Sequence, residues 1–485
     1  MLAHPGTDGD ADDRERRGVD PVRYPADHRD GKASMDRGLQ GSVTACFVSA
    51  GLLILAQTAG GSGAPRIPAG RNCTDAGCHA SLTRAPVVHG VLQTGGCDAC
   101  HETTDEEKHT FRLSEEGADL CYECHDEFEG KTIHGPVSTG DCLACHDAHS
   151  SRFPKLLLNA NEAELCMECH DDLLDDADVV HGPVAAGECL TCHQPHASDH
   201  DRLLNAEQPA LCLDCHDDLA EQLEEGGTVH APVQQECTAC HRPHGSAHQR
   251  LLAQKAPDLC LDCHDDLADR IDDAKYVHGA LKLKRSCVAC HRPHRSDRPS
   301  LLVRKTMDLC LDCHRRGGAG GSEKLTDMTA LLREKPTHHG PVRDGECALC
   351  HDPHASSHIR ILKEAFPATL YASYDEDAYA LCFTCHDPEL VEEETTEEAT
   401  GFRDGERNFH FVHVDRSKGR TCRFCHEPHA AGGDRLIRES IPFGRWRLPI
   451  GFKPTATGGS CAPGCHAPKR YDRESPALSK GASGP

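Results

Sequence analysis

His181-Gly182-Pro183-Val184, then Cys189-Leu190-Thr191-Cys192-His193-Gln194-Pro195-His196, then Leu211-Cys212-Leu213-Asp214-Cys215-His216-Asp217 make one turn of a repeat that governs this 485-residue chain. Two cysteines followed at once by histidine occur in it twice, in two flavours. The first flavour is preceded by a His-Gly-Pro-Val-like box and usually followed by x-Pro-His. The second reads Leu-Cys-x-x-Cys-His-Asp. First-flavour cysteines recur at 97, 142, 189, 237 and 287, in steps of 45, 47, 48 and 50 residues, and then at 347 and 422 after steps of 60 and 75. A period near 50 residues is the mark of an array whose units pack mainly on their neighbours.

Across the chain the triplet occurs fifteen times. Thirteen copies are plain C-x-x-C-H: Cys97/Cys100/His101, Cys121/Cys124/His125, Cys142/Cys145/His146, Cys166/Cys169/His170, Cys189/Cys192/His193, Cys212/Cys215/His216, Cys237/Cys240/His241, Cys260/Cys263/His264, Cys287/Cys290/His291, Cys310/Cys313/His314, Cys347/Cys350/His351, Cys382/Cys385/His386 and Cys422/Cys425/His426. Two terminal copies are stretched, Cys73/Cys78/His79 and Cys461/Cys465/His466. Together they use 30 of the 31 cysteines and leave only Cys46.

C-x-x-C-H is the attachment pattern of a c-type haem. Cysteines at i and i+3 fall on one side of a helical turn, where two porphyrin vinyl groups can form thioethers. The histidine at i+4 then reaches beneath the ring as the proximal ligand of iron. Zinc knuckles and disulfide scaffolds also use paired cysteines, but nothing in zinc coordination demands a histidine after every second one. With 36 histidines in 485 residues, fifteen such matches arise by chance about once in 10^17. The motifs therefore predict about fifteen covalent haems c.

Twenty-one histidines lie outside the motifs. Seven stand seven to nine residues ahead of a first-flavour cysteine: His89, His134, His181, His230, His278, His339 and His413. Six follow a motif histidine by three positions: His149, His196, His244, His294, His354 and His429. After His101 that slot is not histidine, and His109 stands eight residues on. These fourteen are the candidate distal ligands, and His338 and His410 compete for a fifteenth place. A histidine three residues past the proximal one cannot easily reach the far face of its own ring. His196 and its class are therefore expected to serve another motif, one adjacent in sequence. His200, His248 and His358, seven past a motif histidine, read as propionate partners or surface residues.

Composition agrees with a chain that borrows its core. Aromatics are 4% and apolar residues 38%, with one tryptophan, so the bare polypeptide leans toward disorder. Porphyrin faces would supply the missing apolar surface, and folding would be coupled to the cofactor. The expected architecture is mostly loop and short α-helix wrapped around a closely packed covalent haem array in paired-motif repeats, with little or no β-sheet. Short acidic helices are expected over 171–177, 217–225 and 265–274. The net charge of −26 excludes nucleic acid, which needs clustered Lys and Arg, and suits basic redox partners.

By segment, 1–42 is a polar extension, with Met35 an alternative start, and 43–64 reads as a signal-peptide apolar and cleavage region. Residues 65–314 carry repeats one to eleven, 315–337 a Gly-rich insert, 338–468 repeats twelve to fifteen, and 469–485 a tail. A second insert, 389–401, reads as a loop or flexible joint. Cys46 lies before the apolar run rather than after it, unlike a lipidation site. Export to the periplasm, the outer membrane or the cell exterior follows.

Over residues 71–467 or so the pattern resembles the multihaem cytochromes with paired CxxCH motifs. That resemblance implies closely stacked, mostly bis-histidine haems serving electron transfer. It also implies redox partners such as other cytochromes, a quinol-oxidising membrane complex or an outer-membrane porin conduit, and self-association into filaments in some relatives. The alternative is a multihaem reductase acting on a small oxyanion such as nitrite or tetrathionate at one five-coordinate haem. No motif departs from histidine as the proximal ligand, which favours a non-enzymatic carrier.

Overall fold

The computed structural model describes residues 73–74, 79–315 and 326–477, all within one compact unit, Gly63–Pro485. The polar extension, the signal region, Cys46, Cys78, the core of the Gly-rich insert (316–325) and the end of the tail lie outside the described residues. No helix among the described residues is long and apolar enough to cross a membrane.

Local structure follows the motifs. Each box histidine precedes a single helical turn, as in Gly135–Ser138, Gly182–Ala185 and Gly340–Arg343, where Pro at the first positions loses no needed donor. First-flavour motifs sit on three-residue 3-10 turns such as Cys142–Ala144 and Cys189–Thr191. Second-flavour motifs sit on short α-turns such as Ala210–Leu213 and Asp258–Leu261. Acidic helices occur at Asp217–Glu224 and Asp265–Asp273, with the aspartates at their N-terminal ends.

The third expected helix does not form: residues 171–176 are turns.

Strands also exceed the expectation of almost no sheet. The described residues form eleven small antiparallel sheets, all but one two-stranded. Most strands are two residues long, and six of the pairs have one job. The dipeptide before each box histidine pairs with the dipeptide just after the x-Pro-His of the next first-flavour unit. Thr132–Ile133 pairs with Ala197–Ser198, Val179–Val180 with Gly245–Ser246, and Thr337–His338 with Ala430–Ala431. These stitches span about sixty residues or more, beyond anything a local pattern reveals.

Core is scarce and uneven. Every buried hydrophobic side chain among the described residues lies at or beyond Ala355. Two clusters hold that end, one of Tyr379, Val391 and Val414, the other of Phe424, Ile441 and Ile450. The second insert is part of it rather than a joint: Val391 is 2% exposed and Thr395 bridges to Arg407.

Asn408 holds this region together. Its fully buried amide oxygen accepts from the His410 and Phe411 backbone N–H groups, capping the helix Phe409–Val414, and its Nδ2 donates to the Leu390 and Glu393 carbonyls. Asn408→Ala is expected to cost about 2–4 kcal/mol, a lost cap plus buried carbonyls left without donors. A thermal melt of the loaded protein would read this as a clearly lowered midpoint, and an unchanged midpoint would contradict it.

Candidate haem-binding sites

After six of the seven first-flavour histidines, all but His101, the chain closes a small loop. The histidine backbone bridges to a hydrophobic residue eleven positions on, as in His146–Leu157, His193–Leu204 and His426–Ile437. A serine clamps the loop from inside: Ser198 Oγ donates to the Leu204 carbonyl at 2.6 Å and accepts from the His200 N–H at 3.0 Å. The residue nine positions past the motif histidine is left-handed, and its carbonyl faces the proximal imidazole. His146 Nδ1 donates to Lys155 O at 2.8 Å, His193 to Arg202 O at 2.9 Å, His241 to Arg250 O at 2.9 Å, His291 to Ser300 O at 2.7 Å, His351 to Arg360 O at 2.9 Å and His426 to Arg435 O at 2.9 Å. A proton held on Nδ1 leaves Nε2 as a bare lone pair, the form that binds a metal.

Box histidines are anchored alike. His134 donates its backbone N–H to His196 O at 2.8 Å and its Nδ1–H to Pro195 O at 3.0 Å. His89, His230 and His278 repeat the ring contact on Ala148, Pro293 and Pro353. The strand stitches therefore set the distal imidazoles as well as the backbone.

Motif and non-motif imidazoles face each other in fourteen pairs with centroids 5.9–6.4 Å apart. Stacked rings would lie closer. Two nitrogen–metal bonds of about 2 Å, plus roughly 1.1 Å from each ring centre to its nitrogen, place two imidazoles on one metal about 6.2 Å apart. The spacing fits an iron held from both sides.

The wiring has two rules. Box histidines face the second-flavour motif of their own unit: His89–His125, His134–His170, His181–His216, His230–His264, His278–His314 and His339–His386. The x-Pro-His histidines face the first-flavour motif of the preceding unit: His149–His101, His196–His146, His244–His193, His294–His241, His354–His291 and His429–His351. His196 thus reaches back two motifs rather than one, because His170 between them is already faced by His134.

The ends differ. His109 faces His79 at 6.3 Å. His410 faces His426 at 6.4 Å, and His413, grouped by its offset with the box histidines, stands instead within electrostatic reach of His466. One helical turn separates His410 from His413, and of the two only His410 faces a motif histidine ring. His338 turns its Nε2 onto the Leu332 and Lys335 carbonyls and faces no motif. Burial holds His196, His244, His294 and His351 below the ordinary imidazole range, and takes His410 down to about 3. Neutral imidazole is the ligating form.

The cysteines bring successive motifs together. Thiols of Cys73 and Cys97, Cys121 and Cys142, Cys166 and Cys189, Cys212 and Cys237, Cys260 and Cys287, Cys310 and Cys347, and Cys382 and Cys422 are within hydrogen-bond reach. The alternate junctions run through Cys100 to Cys121, then the second cysteines: Cys145 to Cys169, Cys192 to Cys215, Cys240 to Cys263, Cys290 to Cys313, Cys350 to Cys385, and Cys425 to Cys461. Each motif stands within hydrogen-bond or electrostatic reach of the next in sequence order from Cys73 to Cys461.

The attachment cysteines differ in exposure. Cys124, Cys169, Cys215, Cys263, Cys313 and Cys385, the second cysteines of the second flavour, are exposed, as is Cys465, whereas the other described motif cysteines are partly buried. Cys124 stands just past the α-turn Asp119–Tyr122, and the first junction runs through Cys100 and Cys121 instead of through it. Cys465 departs further, because Cys461 ends the strand Gly458–Cys461 and Cys465 follows in a turn. Three intervening residues instead of two exceed one helical turn, so the i,i+3 geometry expected of the plain motifs is absent there. Cys465 remains within electrostatic reach of Cys425, at the end of the row. A thioether engages only the vinyl edge of a porphyrin, so an exposed sulfur can still carry one.

A cavity of about 5420 Å³ runs along the row of motifs and is lined by nine motif histidines, His193 to His426. That is about 600 Å³ for each histidine, within the roughly 300–1,000 Å³ of a cofactor pocket. Among the described residues no three His, Cys, Asp or Glu side chains group to hold a metal directly.

Six segments match the family described as the doubled CXXCH motif: residues 89–130, 134–174, 181–221, 230–269, 278–319 and 339–390. Together they span just over half of the chain. Each begins on a box histidine and contains the second-flavour histidine that it faces. No curated protein matches the chain.

Proposed function

Because the chain belongs to the doubled CXXCH motif family and is a multihaem c-type cytochrome, we propose that it conducts electrons along fifteen covalent haems. Each is ligated by two histidines, and they follow one another in the order of their motifs. Haem c supplies one-electron chemistry at iron, with a potential set mainly by its axial ligands. The protein's part is to hold Nδ1 protons on backbone carbonyls, present paired Nε2 atoms and wrap its short turns around the haem array. The fourteen imidazole pairs at 5.9–6.4 Å carry the reading, and His413 is the histidine proposed for the fifteenth iron, at His466.

Two ligands on every iron leave no position for a substrate. That favours a conductor over the reduction of a small oxyanion at a five-coordinate haem. Fifteen haems exceed a simple carrier's need, which favours long-distance or extracellular respiratory transfer. As a multihaem c-type cytochrome the chain is of an exported class; a periplasmic, outer-membrane or extracellular site is part of the proposal. So are its partners, basic redox proteins, other cytochromes, a quinol-oxidising complex or a porin conduit, which a net charge of −26 would attract in the basic case.

A pyridine haemochrome assay with intact mass is expected to give fifteen haems per chain, and EPR of the oxidised protein only low-spin iron. Thirteen haems or fewer would empty the stretched terminal motifs. One high-spin haem in the native protein would favour the reductase, and zinc in place of iron would end the reading.

A further inference from the structure

Nine residues past the motif histidine, five of six first-flavour loops carry a cation: Lys155, Arg202, Arg250, Arg360 and Arg435, with Ser300 in the other. All six have φ between 53° and 61°, a conformation that glycine adopts without strain. The contact made there with the proximal imidazole uses only the backbone carbonyl, which glycine would supply equally well. The long cationic side chains therefore have a role of their own.

Among the described residues, none of these five side chains makes an ion pair or a hydrogen bond, in a chain with 78 acidic residues against 52 basic ones. Arg202, Arg250, Arg360 and Arg435 instead line the cavity. Arg423, inside the Cys422–Cys425 motif, lines it too and stands close enough to Arg360 for the two charges to repel. Glu427, within electrostatic reach of Arg423, is engaged by Arg438 at 2.8 Å, and neither Arg360 nor Arg423 makes an ion pair among the described residues. Two loops add a nitrogen seven positions past the motif histidine: His248 Nδ1 and Arg298 Nε are buried, without a hydrogen-bond partner, at the cavity wall. Arg202, Arg250, Arg360 and Arg435 are exposed on the cavity they line and Arg423 is partly buried there, so an anion bound along it would meet them.

We infer that these side chains form a row of carboxylate sites along the cavity, strongest at Arg360 and Arg423, each taking a propionate of a haem bound beside it. Two guanidinium forks on one carboxylate make the short, charge-assisted bonds that a single lysine cannot. This rests on the haem reading above. A cation held there also favours the reduced state of the nearby iron.

The test is the double variant Arg360→Gln/Arg423→Gln in the full, haem-loaded chain. Haem count and low-spin EPR are expected to match the native protein, because no cysteine or paired histidine is touched. Spectroelectrochemical titration is expected to show about one-fifteenth of the amplitude moved to lower potential. The expected shift is a tenfold change in the oxidised-to-reduced ratio at fixed ambient potential, or 59 mV for one electron. Arg360→Lys/Arg423→Lys keeps the charge and is expected to titrate close to native. Arg360→Gly relieves the backbone but removes the side chain, and is expected to move the same fraction in the same direction. Fifteen haems with superimposable titrations would overturn the carboxylate sites and leave the haem reading standing. Fewer haems in the native chain would instead defeat the haem reading itself. If added inorganic phosphate shifts the native titration but not the double variant's, the sites take a diffusible anion and the propionate assignment is wrong.

Discussion

Without attached haem, residues 79–354 are expected to unfold and 355–477 to keep partial structure. Before Ala355 the described chain buries no hydrophobic side chain at all, and its buried residues there are five serines, four of them clamping loops. Ordering each residue costs about 1–2 kcal/mol of chain entropy, and two-residue strands and single helical turns bring little to offset it. Beyond Ala355, Tyr379 at 0% exposure, Val391, Phe424 and Ile441 form the two clusters that need no porphyrin. A chain with all attachment cysteines replaced by alanine should therefore lose most of its helical circular dichroism. Protease should cut 79–354 at least about a hundredfold faster than in the loaded protein, since losing even about 3 kcal/mol of protection raises the open population by that factor. A cofactor-free chain that melts cooperatively from native-like structure would refute this.

Replacing His196 with alanine is expected to convert one haem to high spin, and it should be the one on Cys142 and Cys145. His196 lies 6.0 Å from His146, and Phe128 packs on its ring at 4.2 Å, fixing its orientation. His193, its neighbour in sequence, is faced by His244 and should be unaffected. All haems stay attached, because no motif residue changes, so mass should be unaltered apart from the substitution. Loss of an axial ligand is among the strongest levers on iron, and the affected haem's potential should move with its spin state. EPR of the oxidised variant should show about one-fifteenth of the iron high-spin. His200, four residues on in sequence, is a spare imidazole with Nδ1 3.7 Å from Glu207, and the double replacement of His196 and His200 should look the same as the single one. An entirely low-spin spectrum from the double variant would refute the assignment of the whole x-Pro-His class.

How much was legible divides along a physical line. Haem attachment could be read directly, because two thioethers and a proximal imidazole need only one turn of backbone, and Cys189, Cys192 and His193 state that turn in five residues. The candidate distal histidines were also legible, since fixed offsets betray them. Their destinations were not. His196 reaches His146 because Thr132–Ile133 returns to pair with Ala197–Ser198, a contact between units that no local spacing encodes. His410 and His413 differ by one helical turn, and only the Asn408 cap and the packing around it decide which faces His426. The exposure of Cys124 and Cys465 was equally hidden, since it depends on what packs over each turn and not on the motif itself. The turns at 171–176 and the packing of the second insert around buried Val391 likewise could not be read from composition. Sequence by itself determined what binds and where it is attached, because those bonds are local. Tertiary structure decided which imidazoles face one another and which motifs lie side by side, because both depend on segments some fifty residues apart meeting.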